Sequence, residues 1–276
     1  MALEFLRWGC ISMLDLVALN IAALSWAVAA VLSVAVIFWV VSVVRNDVSI
    51  VDSLWSLMFL LTLVVYVVAA DSTSPRAWLV LGLVGVWALR LSIYITVRNF
   101  GEPEDHRYRE IRRNNAPHFR FKSLYIVFGL QAALACFIAL PLLAAASGAS
   151  PLGWLDFLGI GLWLAGMYFE VVGDWQLARF KADPRNRGKV LDTGLWRFTR
   201  HPNYFGEFLI WWGYFLIALA AGGWWTALSP LVMSFLLLKV SGVALLEKSI
   251  GQRRPEYADY VRRTNAFLPG PPRAAA

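Results

Sequence analysis

Along this chain, apolar runs of about 20 residues alternate with short polar connections, the pattern of helices that cross a bilayer. The runs predict seven spans, at about residues 16–44, 53–70, 77–97, 123–146, 152–173, 204–221 and 224–246. The first is long enough to tilt or to extend beyond the bilayer. Span 4 carries Pro141 near its far end, which a membrane helix tolerates as a kink. Span 6 is the anomaly. It begins at His201-Pro202, with proline at the position that lacks a hydrogen-bonded N–H in any case. Asn203, Glu207, Trp211 and Tyr214 then fall at i, i+4, i+8 and i+11, on one face of an apolar helix. The expected architecture is an all-α polytopic membrane protein, an N-terminal three-helix part with its loop (1–122) followed by a four-helix part (123–276).

Composition agrees: 276 residues, 59% hydrophobic, with a mean hydropathy of +0.59, exclude a soluble domain. The net charge of +7 invites a nucleic-acid reading, and its distribution refuses it. Seven Lys and Arg lie in 98–122, seven in 174–203 and six after span 7, with Arg45 between spans 1 and 2. The opposite connections hold only Asp71 and Arg76. This positive-inside asymmetry predicts a cytoplasmic C-terminus and an outside N-terminus. Glu4, Arg7 and Asp15 stand where a signal peptide would be basic, so none is expected. Cys10 and Cys136 are too few for a disulfide framework, and His106, His118 and His201 lack ligand spacing, so no metal is expected.

Ionisable groups inside apolar helices are functional candidates by default. Asp52 lies at the start of span 2, one turn before Trp55. It reads either as a capping or snorkelling carboxylate, or as an acid kept protonated in an apolar surrounding and able to donate a hydrogen bond. Span 3 carries Trp87 and, on one face, Arg90, Tyr94 and Arg98. Snorkelling explains Arg98, but Arg90 is two turns further in and needs an anion: Asp52, Glu207 or a ligand phosphate. The mixed-sign stretch 101–113 reads as a solvated amphipathic helix. Gly159, Gly161 and Gly166 have the wrong spacing for a dinucleotide fingerprint and suit close helix packing. Glu170 and Asp174 share a face at the end of span 5, and the basic, turn-rich 179–189 stretch, with Arg179 and Lys181, follows. Together with Arg197, Arg200, His201 and Tyr204, it suits a bound polyanion, or else ordinary positive-inside charge. The polar, aromatic tail reads as a segment able to fold back as a lid.

Gly194-Leu-Trp196, Arg200-His-Pro-Asn-Tyr-Phe-Gly-Glu207, Trp211-Trp-Gly-Tyr214 and Tyr257-x-x-Tyr-x-x-x-Thr264-x-x-Phe-x-Pro269 resemble the C-terminal domain of the steroid 5α-reductase family, its bacterial members above all. The resemblance covers about residues 160–270 well and the first three spans weakly. It implies a seven-helix reductase of the cell membrane with NADPH on its cytoplasmic side. Asp174, Asn203, Glu207 and Trp211 fall on positions similar to the family's cofactor contacts, and Arg98 near an N-terminal one. The family's second-helix glutamate and third-helix tyrosine hold the substrate ketone. Here the second helix offers Asp52, and the tyrosine position falls nearest Trp87, with Tyr94 matching a different tyrosine two turns on.

The resulting expectation is hydride transfer from NADPH to the β-carbon of an enone such as a 3-oxo-Δ4 steroid. Negative charge must build on the ketone oxygen, so a hydrogen-bond donor there is the main catalytic requirement. Asp52, Tyr94 and Trp87 are the catalytic candidates. Trp55, Arg90, Glu170 and Tyr214 are the substrate-side ones. The partners expected are an apolar, sterol-like substrate drawn from the bilayer and membrane lipids, with no nucleic acid and no obligate protein partner. The rival reading is a membrane methyltransferase using S-adenosylmethionine, which also places a His-Pro-x-Tyr loop and a tyrosine-rich tail around its cofactor. Such enzymes carry paired glutamates early in the tail, where this chain has Glu247-Lys248. A transporter or scaffold is the third reading, disfavoured because the intramembrane charges crowd at one end.

Overall fold

The computed structural model describes residues 2–240 and 257–273, with side chains described from residue 21 onward. Every regular element among them is helical. The first is α1 (Ala2–Arg45), and a turn with Asn46 at positive φ leads into α2 (Ile50–Ala69). Helix α3 (Pro75–Asn99) opens with proline at its first position, and its cap Ser74 accepts the Ala77 N–H at 3.1 Å. A short α4 (His106–Asn114) is capped by Asp105, whose side chain accepts the Arg107 N–H. Helix α5 (Phe119–Ser147) is long but irregular, with a π-helical stretch at Leu124–Gly129 and a break before Pro141. It is followed by α6 (Trp154–Ala182), α7 (Pro202–Ala220), α8 (Trp224–Val240) and α9 (Tyr257–Arg263).

Five of these helices are long and apolar enough to cross a membrane: Ile21–Arg45, α2, α3, α5 and α6. Seven spans were expected. The sixth corresponds to α7, 19 residues long, whose hydropathy is lowered by Asn203, Glu207 and its Trp and Tyr residues, the very groups that drew attention to it. The seventh corresponds to α8, which is shorter, and the remainder of that span, at 241–246, lies outside the described residues. Glu247, Lys248 and the early tail lie outside them as well.

The helices form two compact units, Met1–Leu152 and Gly153–Ala276, whereas the sequence reading divides the chain at 122/123. In the first unit, α5 packs on α1, α2 and α3. Small hydroxyls tie α2 to α3: Ser56 donates to the Ala88 carbonyl at 2.9 Å and Ser92 to that of Ser53 at 2.8 Å. Large apolar side chains such as Ile37, Val68, Ile93 and Val97 point outward, which is costly in water and natural in lipid. Trp154, Phe157 and Tyr168 of the second unit do the same.

Candidate functional site

The second unit is built on an antiparallel pair, α6 and α7, whose backbones touch. A Cβ on Gly206 would lie 2.5 Å from the Gly166 carbonyl oxygen and 2.6 Å from the Glu170 nitrogen. A Cβ on Gly213 would lie 2.7 Å from the Gly159 oxygen. One heptad beyond Gly166, Gly173 gives room to Pro202 and the Asn203 nitrogen, each 3.2 Å from where its Cβ would be. Glycines a heptad apart keep one seam between the helices close along its length. The seam on α7 therefore runs through Asn203, Gly206, Ile210, Gly213 and Ile217.

That seam sets the polar groups. Asn203 donates from Nδ2 to Asp174 Oδ1 at 3.1 Å, joining the first turn of α7 to the end of α6. Glu207 is buried and accepts the Trp211 indole N–H at 3.0 Å. Further along, the Trp163 indole donates to the Tyr214 hydroxyl at 3.0 Å. Glu170 is buried against Gly206. Just before the helix, the His201 ring stacks on Tyr204, centroids 5.6 Å apart and 8° from parallel. The preceding loop is held to α6 by Trp196, which donates to the Gly173 carbonyl at 3.1 Å, and by Gln176, which accepts the Leu195 N–H at 3.0 Å. Gly194 is needed there: its φ is +62°, and a side chain would collide with the Gln176 amide.

The segment 257–273 straps across this loop. Tyr260 donates to the Trp196 carbonyl at 2.5 Å and Thr199 to that of Phe267 at 2.8 Å. Arg200 donates from Nη1 to the carbonyls of Thr264 at 2.6 Å and Val261 at 3.1 Å. Phe267 packs edge-on to Phe205 and Phe208. Arg200 thus serves the strap, although the sequence reading assigned it to a cofactor. Arg179, Lys181 and Arg197 are exposed, and Arg179 lies over the Trp175 ring at 5.5 Å. Arg185 is paired with Asp183 at 2.8 Å, an exposed bond that lowers the Asp183 carboxyl below its ordinary range.

In the first unit the candidates fall into two groups. Trp55 meets Phe59 edge-on at 5.0 Å, and Phe59 meets the fully buried Trp87 at 5.7 Å. Tyr94 is flanked by guanidinium groups, Arg90 at 5.3 Å and Arg98 at 5.8 Å from its ring centre. Asp52 belongs with residues that sequence reading missed. It accepts Arg107 Nη2 at 2.7 Å and the Tyr108 hydroxyl at 2.6 Å, and Tyr108 in turn accepts the Gln131 amide at 3.2 Å. Arg107 also bonds Asp105, while Glu104 accepts the Val48 N–H and two bonds from Arg112. The stretch that reads as a solvated helix is therefore clamped to the α1–α2 turn. Its clue was Tyr108, the one aromatic in a run of charges, which is 6% exposed. Burial, then the Asp52 charge, push the Tyr108 phenol well above its ordinary value. Burial works to raise the Asp105 carboxyl, but its bonds to Arg107 outweigh that and hold it below the ordinary range. Among the described residues no cluster of metal-ligating side chains occurs.

An uncharacterized protein of Schizosaccharomyces pombe is 27% identical over 266 residues, covering 84% of this chain and 76% of that protein. The 3-oxo-5-alpha-steroid 4-dehydrogenase 1 of Macaca fascicularis is 35% identical over 66 residues, 24% of this chain and 25% of that enzyme. No solved structure matches the chain. The family whose profile matches residues 38–264 spans most of the sequence, and the chain belongs to it: DUF1295, a family of proteins of unknown function.

Proposed function

We propose that this chain is an integral-membrane, NADPH-dependent reductase of the carbon–carbon double bond of an apolar enone, of the 3-oxo-Δ4 steroid kind. In this reading it crosses a bacterial cell membrane seven times, with its basic connections in the cytoplasm. The observation that carries the reading is the 66-residue similarity to a 3-oxo-5-alpha-steroid 4-dehydrogenase. The corner where α6 meets α7 supports it.

The groups at that corner suit a dinucleotide. Asn203, oriented by Asp174, and Glu207, oriented by Trp211, offer amide and carboxylate partners to hydroxyl and carboxamide groups. The flat His201–Tyr204 stack offers a face to an aromatic ring. Exposed Arg179, Lys181 and Arg197 are the cations for phosphate, while Arg200 holds the strap instead. Bound there, NADPH supplies a hydride.

The chain's own work is to stabilise charge on the ketone oxygen. Asp52, accepting from a guanidinium and a phenol, acts as an anchoring anion. The donor role falls to the Tyr94 hydroxyl, with Arg90 beside it to favour negative charge, and to the Trp87 N–H. Trp55 is the remaining substrate-side group of the first unit. The proton for the α-carbon comes from solvent or a relay.

Glu207→Gln and Asn203→Ala are expected to weaken NADPH binding at least tenfold, read from nicotinamide fluorescence, while the variants remain folded by circular dichroism. Unchanged NADPH affinity in both variants, or binding of S-adenosylmethionine and no nicotinamide, would overturn the proposal.

A further inference from the structure

In the first unit, the last turn of α1, the turn after it, α4 and the start of α5 surround a shallow recess. Ser42, Asn46, Arg112, Phe119, Arg120 and Ser123 line it. Its empty space is about 180 Å³, counting the side open to solvent, and the enclosed part has room for about one water-sized group. A ligand here therefore leaves one atom inside and its body outside.

The two guanidinium groups of the lining differ in kind. Arg112 is fixed. Glu104 accepts its Nε at 3.0 Å and its Nη2 at 2.7 Å, the Asn46 amide oxygen accepts Nη1 at 3.1 Å, and the Phe119 ring centre lies 4.7 Å from it. One Nη1 proton is left over. Arg120 is exposed and makes no ion pair among the described residues, with the Phe121 ring centre 5.3 Å away. Its backbone is held firmly, because its carbonyl accepts the Trp39 indole N–H and the Ser123 hydroxyl, each at 2.8 Å. Arg45, next to Asn46 in the chain, is exposed and likewise makes no ion pair among the described residues.

The recess lies where α1 ends and α5 begins, two helices long and apolar enough to cross a membrane. Apolar surface reaches up to it: Val44, Phe121 and Tyr125 are all exposed. In a bilayer, the boundary between such a surface and a basic connection lies at the depth of the lipid phosphates. Ordinary positive-inside charge accounts for cations at that depth. It does not account for a recess that pins one guanidinium and leaves a second unopposed beside it. A guanidinium fork matches the oxygens of a phosphate, and such charge-assisted bonds are the strong kind. A soluble phosphate would find the same donors, but would make no use of the apolar faces on either side.

We propose that this recess binds the phosphate of an anionic membrane phospholipid. Arg120 supplies the fork, Arg112 its remaining Nη1 donor, and Arg45 adds to the positive field. One phosphate oxygen enters the recess, and the acyl chains lie along the exposed apolar surface of α1 and α5. The site goes beyond the reductase reading and does not depend on it.

The test titrates the full chain in detergent with short-chain phosphatidylglycerol and phosphatidylcholine, and counts bound lipid by native mass spectrometry. Wild type is expected to take one phosphatidylglycerol about tenfold more tightly than phosphatidylcholine, whose choline cation is repelled by Arg45 and Arg120. Arg120→Gln should weaken phosphatidylglycerol binding about tenfold, the worth of one charged hydrogen bond. Arg187→Gln, at an exposed cation of the second unit, should bind as wild type does. The Arg120 carbonyl keeps its bonds in the variant, and circular dichroism should show both variants folded. Equal losses in the two variants, or no preference between the two lipids, would make the attraction diffuse charge and overturn the site. Glycerol phosphate binding as tightly as phosphatidylglycerol would make the ligand a soluble phosphate and overturn the lipid assignment.

Discussion

Asp52 receives hydrogen bonds from side chains 55 and 56 positions later in the chain. No window on the sequence holds all three residues, so Asp52 read as a cap or a proton donor, and Arg107 and Tyr108 read as solvated. Charge on a helix surface and charge in a clamp look alike until the partner is in place. The clamp has a pH signature through Asp105, which sits beside Arg107 with its carboxyl held below the ordinary value. A depressed folded-state value means stability that is complete above the unfolded carboxyl's pKa, about 3.9, and is lost as pH falls through the lower folded value. Asp105→Asn should therefore cost a constant amount, about 1 kcal/mol for a partly exposed pair, from pH 7 to pH 5. Below about pH 4 the difference should shrink. Unfolding of detergent-solubilised wild type and variant across that range reads it directly, and a cost independent of pH would contradict the pairing.

At the scale of elements, α6 and α7 are the pair whose contact depends on missing side chains. The sequence signal was visible in Gly159 and Gly166, and the reading of close packing was drawn from it. The partners, Gly213 and Gly206, could not be named, because pairing requires the antiparallel register. The face Asn203, Glu207, Trp211, Tyr214 was also legible. Yet the seam itself runs through Gly206, Ile210 and Gly213, small or slender residues that a search for polar groups passes over. Gly206→Ala is expected to destabilise the chain by about 1–3 kcal/mol, since the added methyl meets backbone that cannot yield. Gly161→Ala, on the same helix pair with nothing within 4 Å, should be neutral or slightly stabilising. Equal effects in chemical unfolding would mean that the seam is not under compression.

At the scale of the whole molecule, the basic connections dictate the proposed orientation. Cysteine placed at Arg187, in a Cys10→Ser background, should react with an impermeant maleimide only from the cytoplasmic side. One at Ala149 should react only from the other. Labelling of both from one side would remove the seven-span topology. The helical, membrane-spanning character follows from sequence alone, because run length and hydropathy are local quantities that the bilayer reads directly. The same holds for the charge asymmetry and for the polar face that makes α7 less apolar than its neighbours. Tertiary structure alone decided what those polar groups do: that Arg200 holds the strap, that Asp52 anchors a loop, and that glycines bring α6 and α7 together. Each of these depends on residues distant in sequence meeting within about 3 Å, the reach of a hydrogen bond, and chain order carries no record of that distance.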